Sequence, residues 1–534
     1  MKMVKSLILG SAAGLIAMSG AQAADLPVKA KAVEYVRICS LYGAGFWYIP
    51  GTDTCMKIGG YLRIDTTFNG GIYDQPAWAG DLGQNNRYVD HINSRSRMAL
   101  TVDTRTATEY GVVRTFAQGD FQFNNFGSTS PTTLGTPLNV GATTGISGSL
   151  LNNPGGGYVA VEFVFIQFAG FTFGKSASAY ATPWHGYPGN NSSFLLGGHD
   201  TVTGVNNIQY TAQFGNGVSG TIGLDDPTVF NRTTLANLGA GLALTPAGAS
   251  FGGGTASLAG VSGFGAGTQG YAGWYAPDVV GNIRVDQAWG LFQISGALHE
   301  VRAAYFAPSG TAGAELTGHP ETKWGGSVMA ALQIKNIPTG PGDDIKIDAS
   351  WSKGDTKNVI STSAASPSFL IYGAASGVGA SAGYDSIGFG ATTDGTYLSV
   401  AAGGDGTIHL TEAYGVRGAF NHNWDPYWST SLFGSYASVR YDNTQTANIC
   451  SRIAITPLAG ATCDPDFNVS QLGVVTRWTP VKNLTFSAEV QWFHLDQKFS
   501  GLATFAANGP KPAAVYQFKD QDAYSLNVRA QRNF

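Results

Sequence analysis

Charge is scarce in this chain. Asp, Glu, Lys and Arg together make up 12% of its 534 residues, about half the usual share in a soluble α/β protein. Long apolar runs are also lacking. Past the N-terminus no unbroken apolar stretch reaches the roughly 18 residues a membrane-crossing helix needs. The nearest, Val159–Gly174, is interrupted by Glu162, Gln167 and Gly170. The net charge is −4, or −6 without Lys2 and Lys5, so the basic face that nucleic acid requires is missing. The 8 histidines show no H-x-x-x-H spacing and the 4 cysteines no C-x-x-C. That leaves no zinc signature and no reason to expect a cofactor.

What the chain does have is glycine (73 residues), aromatics (12%) and a persistent two-residue alternation. In Asn207–Asp225, Ile208, Tyr210, Ala212 and Phe214 alternate with Asn207, Gln209, Thr211 and Gln213. After Gly215-Asn216-Gly217 the alternation resumes through Val218, Gly220, Ile222 and Leu224. Successive side chains of a strand point to opposite faces, so each half has one apolar and one polar face, and the Gly/Asn turn supplies the positive φ of a tight hairpin.

The N-terminus reads as a secretory leader over residues 1–23. Lys2 and Lys5 precede the apolar Leu7–Met18, and Ala21-Gln22-Ala23 is an A-x-A cleavage site, so the mature chain is expected to begin at Ala24. Export permits disulfides. Cys39, Cys55, Cys450 and Cys463 allow three pairings, with the pairs close in sequence, 39–55 and 450–463, favoured. Residues 24–55 are irregular, and from 56 to 534 the alternating pattern recurs as sixteen strands of about ten residues, the length that crosses a bilayer when tilted.

Every second connection is short. The others are long and rich in Gly, Ser, Thr and Asn, and two of them, Pro227–Ala276 and Gly354–Ile408, resemble low-complexity insertions suited to a cell surface. This asymmetry predicts an all-β, sixteen-stranded antiparallel transmembrane barrel with short periplasmic turns and long extracellular loops. Arg63, Arg97, Arg114, Arg284, Lys346, Arg417, Arg477 and Arg529 all fall in polar-face register. An Arg facing lipid at mid-bilayer costs about 2–4 kcal/mol, so these residues are assigned to the pore lining. Trp289, Trp424, Tyr427, Trp428, Trp478 and Trp492 cluster at strand ends, as in an interfacial girdle.

Three stretches carry a family resemblance: Ala24-Asp25-Leu26-Pro27 with Ile38 through Cys55 and Lys57–Tyr61; Phe165-Ile166-Gln167-Phe168-Ala169-Gly170-Phe171-Thr172-Phe173-Gly174-Lys175; and Gly281-Asn282-Ile283-Arg284-Val285-Asp286-Gln287-Ala288-Trp289-Gly290. They resemble the general porins of alphaproteobacteria of the rhizobial type. The resemblance implies a homotrimeric outer-membrane channel for small hydrophilic solutes and ions. It also implies contacts with outer-membrane lipid, lipopolysaccharide and the assembly machinery, with Phe534 as the assembly signal. The segment after the fifth strand, 176–206, would then fold into the lumen as a constriction loop, with His185, His199 and Asp200 in it and Asp200 facing the arginine wall. Arg532, in outward register, departs from the pattern and is expected at the periplasmic interface, where it can reach headgroups.

Other motifs carry little. Gly379-Ala380-Ser381-Ala382-Gly383 matches G-x-S-x-G without the strand and helix of a nucleophile elbow, and Gly263–Gly267 lacks a phosphate-site setting. A barrel enzyme or surface adhesin is the alternative function. His422, in outward register near Trp424, is the sole histidine that could serve the enzyme reading.

Overall fold

The structure, a computed structural model, describes residues 37–534 except 72–74, 79–82, 84, 86–90, 125–148, 152–156, 193, 201–202, 228–232, 241–269, 308–310, 362–366, 374–384, 454–455 and 506–510. The leader, Ala24–Pro27, Gly263–Gly267 and Gly379–Gly383 lie outside the described residues.

Two units are distinguished, residues 1–56 and 57–534. In the first, the two-residue strand Trp47–Tyr48 pairs antiparallel with Cys55 and Met56. A disulfide joins Cys39 to Cys55 across a Cα separation of 6.0 Å. Both cysteines are buried with Phe46, and the Arg37 guanidinium lies 4.7 Å from the Tyr48 ring centre. With so few apolar residues to bury, the covalent tie supplies much of the order in this segment.

The second unit is a closed antiparallel barrel. Its strands are β1 (Thr54–Phe68), β2 (Ile92–Thr108), β3 (Gly111–Asn124), β4 (Gly157–Phe168), β5 (Phe171–Ser176), β6 (Val205–Gly215), β7 (Val218–Asp225) and β8 (Asp278–Gln287). They continue with β9 (Gly290–Val301), β10 (Lys323–Lys335), β11 (Asp344–Lys353), β12 (Glu412–Asn423), β13 (Trp428–Arg440), β14 (Phe467–Val481), β15 (Leu484–Gln497) and β16 (Gln521–Asn533). Each strand pairs with its chain neighbours, and β16 closes on β1 from Tyr61↔Asn533 to Phe68↔Leu526. Closure leaves no open edge, which a bilayer demands. The strand set matches the alternation in sequence; β12 starts at Glu412 rather than His409 because Ile408–Leu410 belongs to a separate sheet.

The faces follow the same alternation. On β6 and β7, Ile208, Tyr210, Ile222 and Leu224 are exposed, while Asn207 is buried. Asn216 and Gly217 turn this hairpin at φ of 50° and 74°, and a Cβ on Gly217 would stand 1.9 Å from the Asp286 carbonyl oxygen. Exposed aromatics form two belts. Trp289, Trp424, Tyr427, Trp428 and Trp478 ring the turn end, while Trp324, Trp351, Tyr414 and Tyr524 ring the loop end. Ten residues separate Tyr414 from Trp424. At about 3.3 Å per residue and a tilt of about 40°, the belts stand about 25 Å apart, the height of a bilayer-facing band. Arg532 keeps to the turn end, donating to the Lys482 carbonyl.

The long loops differ from the sequence expectation. Described parts of Pro227–Ala276 and Gly354–Ile408 are ordered and largely buried, not low-complexity surface. Thr234–Asn237, Thr393–Tyr397 and Ile408–Leu410 form one small sheet, and Phe369–Gly373 and Asp385–Gly390 join Thr456–Pro457, Leu502–Phe505 and Ala514–Phe518 in another. Together they bury the largest apolar cluster of the described residues, which includes Trp78, Phe194, Phe369, Phe389, Phe467 and Phe493. Each loop contributes only a few scattered aromatics, so none shows a periodic pattern. The core exists only once the loops meet over the β12–β16 side of the mouth.

One helix, α1 (Asn443–Arg452), belongs to this cap, with Asp442 and Gln445 forming a reciprocal capping box. A disulfide ties Cys450 of α1 to Cys463, with Cα atoms 5.9 Å apart. His409 bridges Asp442 (Nδ1–Oδ2 2.9 Å) and Asp405 (Nε2–Oδ2 2.8 Å). Partial burial disfavours the imidazolium, but the two carboxylates outweigh it and hold the His409 pKa above its ordinary value. A raised histidine pKa stabilises fully below about pH 6.5 and is lost as pH rises through the folded value. Hydrogen-exchange protection of α1, corrected for intrinsic rates, is therefore expected to fall between pH 6 and pH 9 in the native protein and to be pH-independent in His409→Gln.

Candidate functional site: the barrel interior

The interior is shaped by a strand that stops early. The six residues of β5 span about 20 Å along the strand and, tilted, about 15 Å of a band about 25 Å high. Its last pair is Ser176↔Val205. From there residues 177–204 leave the wall and meet inward-facing side chains of β8 through β16.

The polar contacts run round the wall in order. Asn282 donates to the Ala179 carbonyl (2.6 Å) and Gln293 to that of Ala181 (2.7 Å). The Trp184 indole donates to Asp348 (3.1 Å), and Asn421 to the Pro188 carbonyl (3.0 Å). Gln471 donates to the Phe194 carbonyl (2.7 Å) and accepts from the Leu196 amide (2.8 Å). The buried Glu489 carboxylate accepts the amides of Asn191 (2.5 Å) and Ser192 (3.1 Å). Such contacts satisfy a non-regular backbone that would otherwise cost several kcal/mol per orphaned group.

Apolar packing lies between these bonds. Tyr180 and Trp184 pack in one cluster with Val280, Leu291 and Met329, and Leu195 in another with Ala419, Phe433 and Val475. Gly197 rests directly on Gly415, where a Cβ would lie 2.6 Å from the Gly197 Cα. At the centre Arg417 Nε donates to Asp348 (2.8 and 3.1 Å), and its Nη2 to the His199 carbonyl (2.5 Å). Neither side chain of that pair is solvent-exposed.

All eight basic residues expected on the inner face take part in interior contacts, but not as an open arginine wall. Arg97 pairs with Asp120 (2.6 Å) and Arg284 with Asp286 (2.6 Å). Lys346 lies 3.6 Å from Asp344. Arg114 meets Asp103 (3.0 Å), and Arg529 meets Asp65 (2.5 Å). Arg63 donates to Gln531 (2.8 Å), and Arg477 to Ser431 (2.8 Å) and Asn191 (3.1 Å). Arg417 lies beneath the infolded segment and lines no open space. Asp200 is 6% exposed and lies in the seam beside Arg417 and Lys357. His199 is buried edge-on to Tyr180 (5.4 Å), and burial, with Lys357 and Arg417 nearby, holds its pKa well below the ordinary value. Burial, assisted by Arg284, likewise lowers that of His185.

The carboxylates Asp65, Asp103, Asp120, Glu162, Asp348 and Glu489, and Arg95 bonded to Asp65 (2.5 Å), are absent from the set read out of the sequence. Their signal is parity: Asp65 stands two residues after Arg63, and Arg95 two before Arg97. His422 lies at the turn end, 2.6 Å from Asp343 and edge-on to Trp424 (4.3 Å between ring centres). Phe534 is exposed, and its backbone pairs with Gly60.

A closed sixteen-strand barrel, apolar outside, charged inside and belted with aromatics, defines a multi-pass outer-membrane protein. Residues 25–527 match the family model described as Porin subfamily, and the chain belongs to that family. Porin Omp2b of Brucella canis is 36% identical over 230 residues, 42% of this chain and 54% of the relative. Its counterpart in Brucella melitensis is 37% identical over the same length. The chain thus spans about half the length of the curated relatives it matches. Among solved structures, the outer membrane channel DcaP of Acinetobacter baumannii is similar in fold. Its TM-score is 0.53 at 13% identity, covering 91% of this chain and 99% of that one.

Proposed function

We propose that the protein is a passive diffusion channel for small hydrophilic solutes and ions, without chemistry or cofactor, and that segment 176–206 is its constriction. The observation that carries this reading is the asymmetry of the interior. Against β8–β16 the segment packs closely and buries the Arg417–Asp348 pair, whereas charged pairs toward the turn end keep partial exposure: Arg105 29%, Arg114 28% and Asp103 12% on β2 and β3, and Arg284 35% on β8. In this reading the passage runs beside β1–β6, away from the sector that the segment covers. Interleaved charges make its field local and its selectivity weak. In planar bilayers the folded protein is expected to give large, nearly ohmic conductance steps, and a folded protein that never conducts would overturn the reading. Arg114→Ala removes one of the two guanidiniums that share Asp103 and is expected to shift permeability toward cations. An unchanged ratio would take the pathway away from β3.

The homotrimer also belongs to this proposal. β5 and β7 have six and eight residues, too few to cross the apolar band alone. Phe171, Phe173, Ile208, Tyr210 and Ile222 are nevertheless exposed on this sector. A second copy covers a low wall better than lipid does, and closed rings satisfy every copy equally. The protein in mild detergent is expected to run as a trimer by light scattering, and Phe173→Glu with Ile208→Glu as a monomer. A monomeric native protein would refute the assignment. Phe534, in this reading, is the signal read by the assembly machinery.

A further inference from the structure

The inner wall beside the proposed passage carries flat apolar faces that a water-filled conduit does not require. On β4, Val161, Val164 and Ile166 are exposed outward, so Phe163 and Phe165 point inward. Phe116 of β3 sits opposite Phe165, their rings stacked at 25° with centres 5.3 Å apart. The Arg114 guanidinium lies 5.3 and 5.5 Å from these two rings. Across from them stand Ser176, Ala177 and His185 of the infolded segment, and the space between is a cavity of about 310 Å³ also lined by Gln118 and Gln209.

The polar groups of this cavity are mostly neutral. Arg114 is held by Asp103 (Nε–Oδ1 3.1 Å, Nη2–Oδ2 3.0 Å) and by Gln167 (2.9 Å), and Asp103 also holds Arg105 (3.0 Å), so the donors of Arg114 are taken up within the wall although its charge is only partly offset. Among the described residues no carboxylate lines the cavity, so a cation finds no partner there. The Gln209 and His185 side chains line the cavity, and their Oε1 and Nδ1 have no hydrogen-bond partner among the described residues, so a rotamer change would offer both to a ligand's hydroxyls. We infer that this cavity is a solute-binding subsite for a neutral sugar ring. The C–H face of a pyranose would lie on Phe116 and Phe165, with its hydroxyls on Gln209, His185 and Arg114. The volume is at the small end of ligand sites and suits one or two rings. The inference rests on the diffusion-channel reading, to which it adds a substrate class.

The test uses the full-length protein in detergent and in planar bilayers, with maltose as probe and sorbitol, which has hydroxyls but no ring face, as control. Maltose is expected to bind by calorimetry and to reduce the ion current saturably, and sorbitol to do neither. Phe165→Leu keeps an apolar side chain but loses the flat face. It is expected to weaken half-saturation by between about twofold and tenfold, the span one aromatic contact is worth. Gln209→Leu is expected to weaken it as well, and unshifted heat-dependent gel mobility confirms that either variant is folded. A conducting protein indifferent to maltose, equal effects of sorbitol, an unchanged Phe165→Leu, or binding of benzoate in place of maltose would each overturn the subsite and leave the channel reading standing. A folded protein that does not conduct removes the channel reading, and calorimetry alone then decides the subsite.

Discussion

Asp348→Ala is expected to release segment 176–206 from the wall while the barrel stays closed. The Asp348 carboxylate accepts from Arg417 Nε and from the Trp184 indole, and both ionic side chains are fully buried. Its loss leaves Arg417 charged in the seam without its bonded carboxylate, held by the carbonyls of Leu195 (3.3 Å) and His199 (2.5 Å). Breaking a buried ion pair from one side costs about 3–5 kcal/mol, and the orphaned indole N–H adds about 1–3 kcal/mol. That exceeds what a short non-regular segment can lose without opening, whereas the barrel keeps its β11–β12 ladder from Asp344↔Asn421 to Lys353↔Glu412. Single-channel recordings are expected to show larger, noisier openings, and limited proteolysis with mass spectrometry to cut between 177 and 204. Asp348→Leu with Arg417→Met removes both charges and is expected to restore much of the native behaviour, because an apolar replacement of a buried pair is often neutral. An Asp348→Ala channel with native conductance and no new cleavage would show that other contacts hold the segment.

Trp78→Ala is expected to loosen the cap. The Trp78 ring is fully buried and meets Phe194 (5.7 Å), Phe369 (5.5 Å) and Phe493 (4.9 Å) edge-on. These partners come from the infolded segment, the β11–β12 loop and the wall strand β15, so one side chain meets three pieces, two of which also touch through Phe369 and Phe493 (5.3 Å). Its truncation costs about 3–5 kcal/mol, falling on the cap because the barrel ladder has no part in it. Faster hydrogen exchange is expected in Phe369–Gly373 and Asp385–Gly390, with β12–β14 unchanged. Trp78→Phe is expected to be much milder: it keeps a ring and removes an indole N–H that has no partner among the described residues. Equal exchange in Trp78→Ala and native protein would mean the cap is held by its sheets alone.

Both predictions depend on contacts that no local pattern displays. Asp348 and Arg417 are 69 positions apart, and each on its own strand is one more polar residue at an inward position. Parity says that Arg417 faces inward but carries no information on whether water or residues 177–204 will lie against it. The same holds for Asp200, a lone acid in a polar loop until Gly197 and Asp200 dock on Val359 and Ser361. The aromatics of the long loops were harder still, since Trp78, Phe369 and Phe389 sit among Gly, Ser and Ala with no period to follow.

The sixteen strands, the face most wall residues take, and the division into short turns and long loops are legible in the chain alone, apart from shifts such as the one that turns both Val161 and Val164 outward. These depend on the two-residue pleat and on turn chemistry, which act between neighbours in the chain. Which interior charges are covered, which stay partly exposed, and that the loops build a core of their own emerge only when distant segments pack. Those outcomes come from burial between distant segments, and burial is a property of the closed barrel with its early-ending fifth strand.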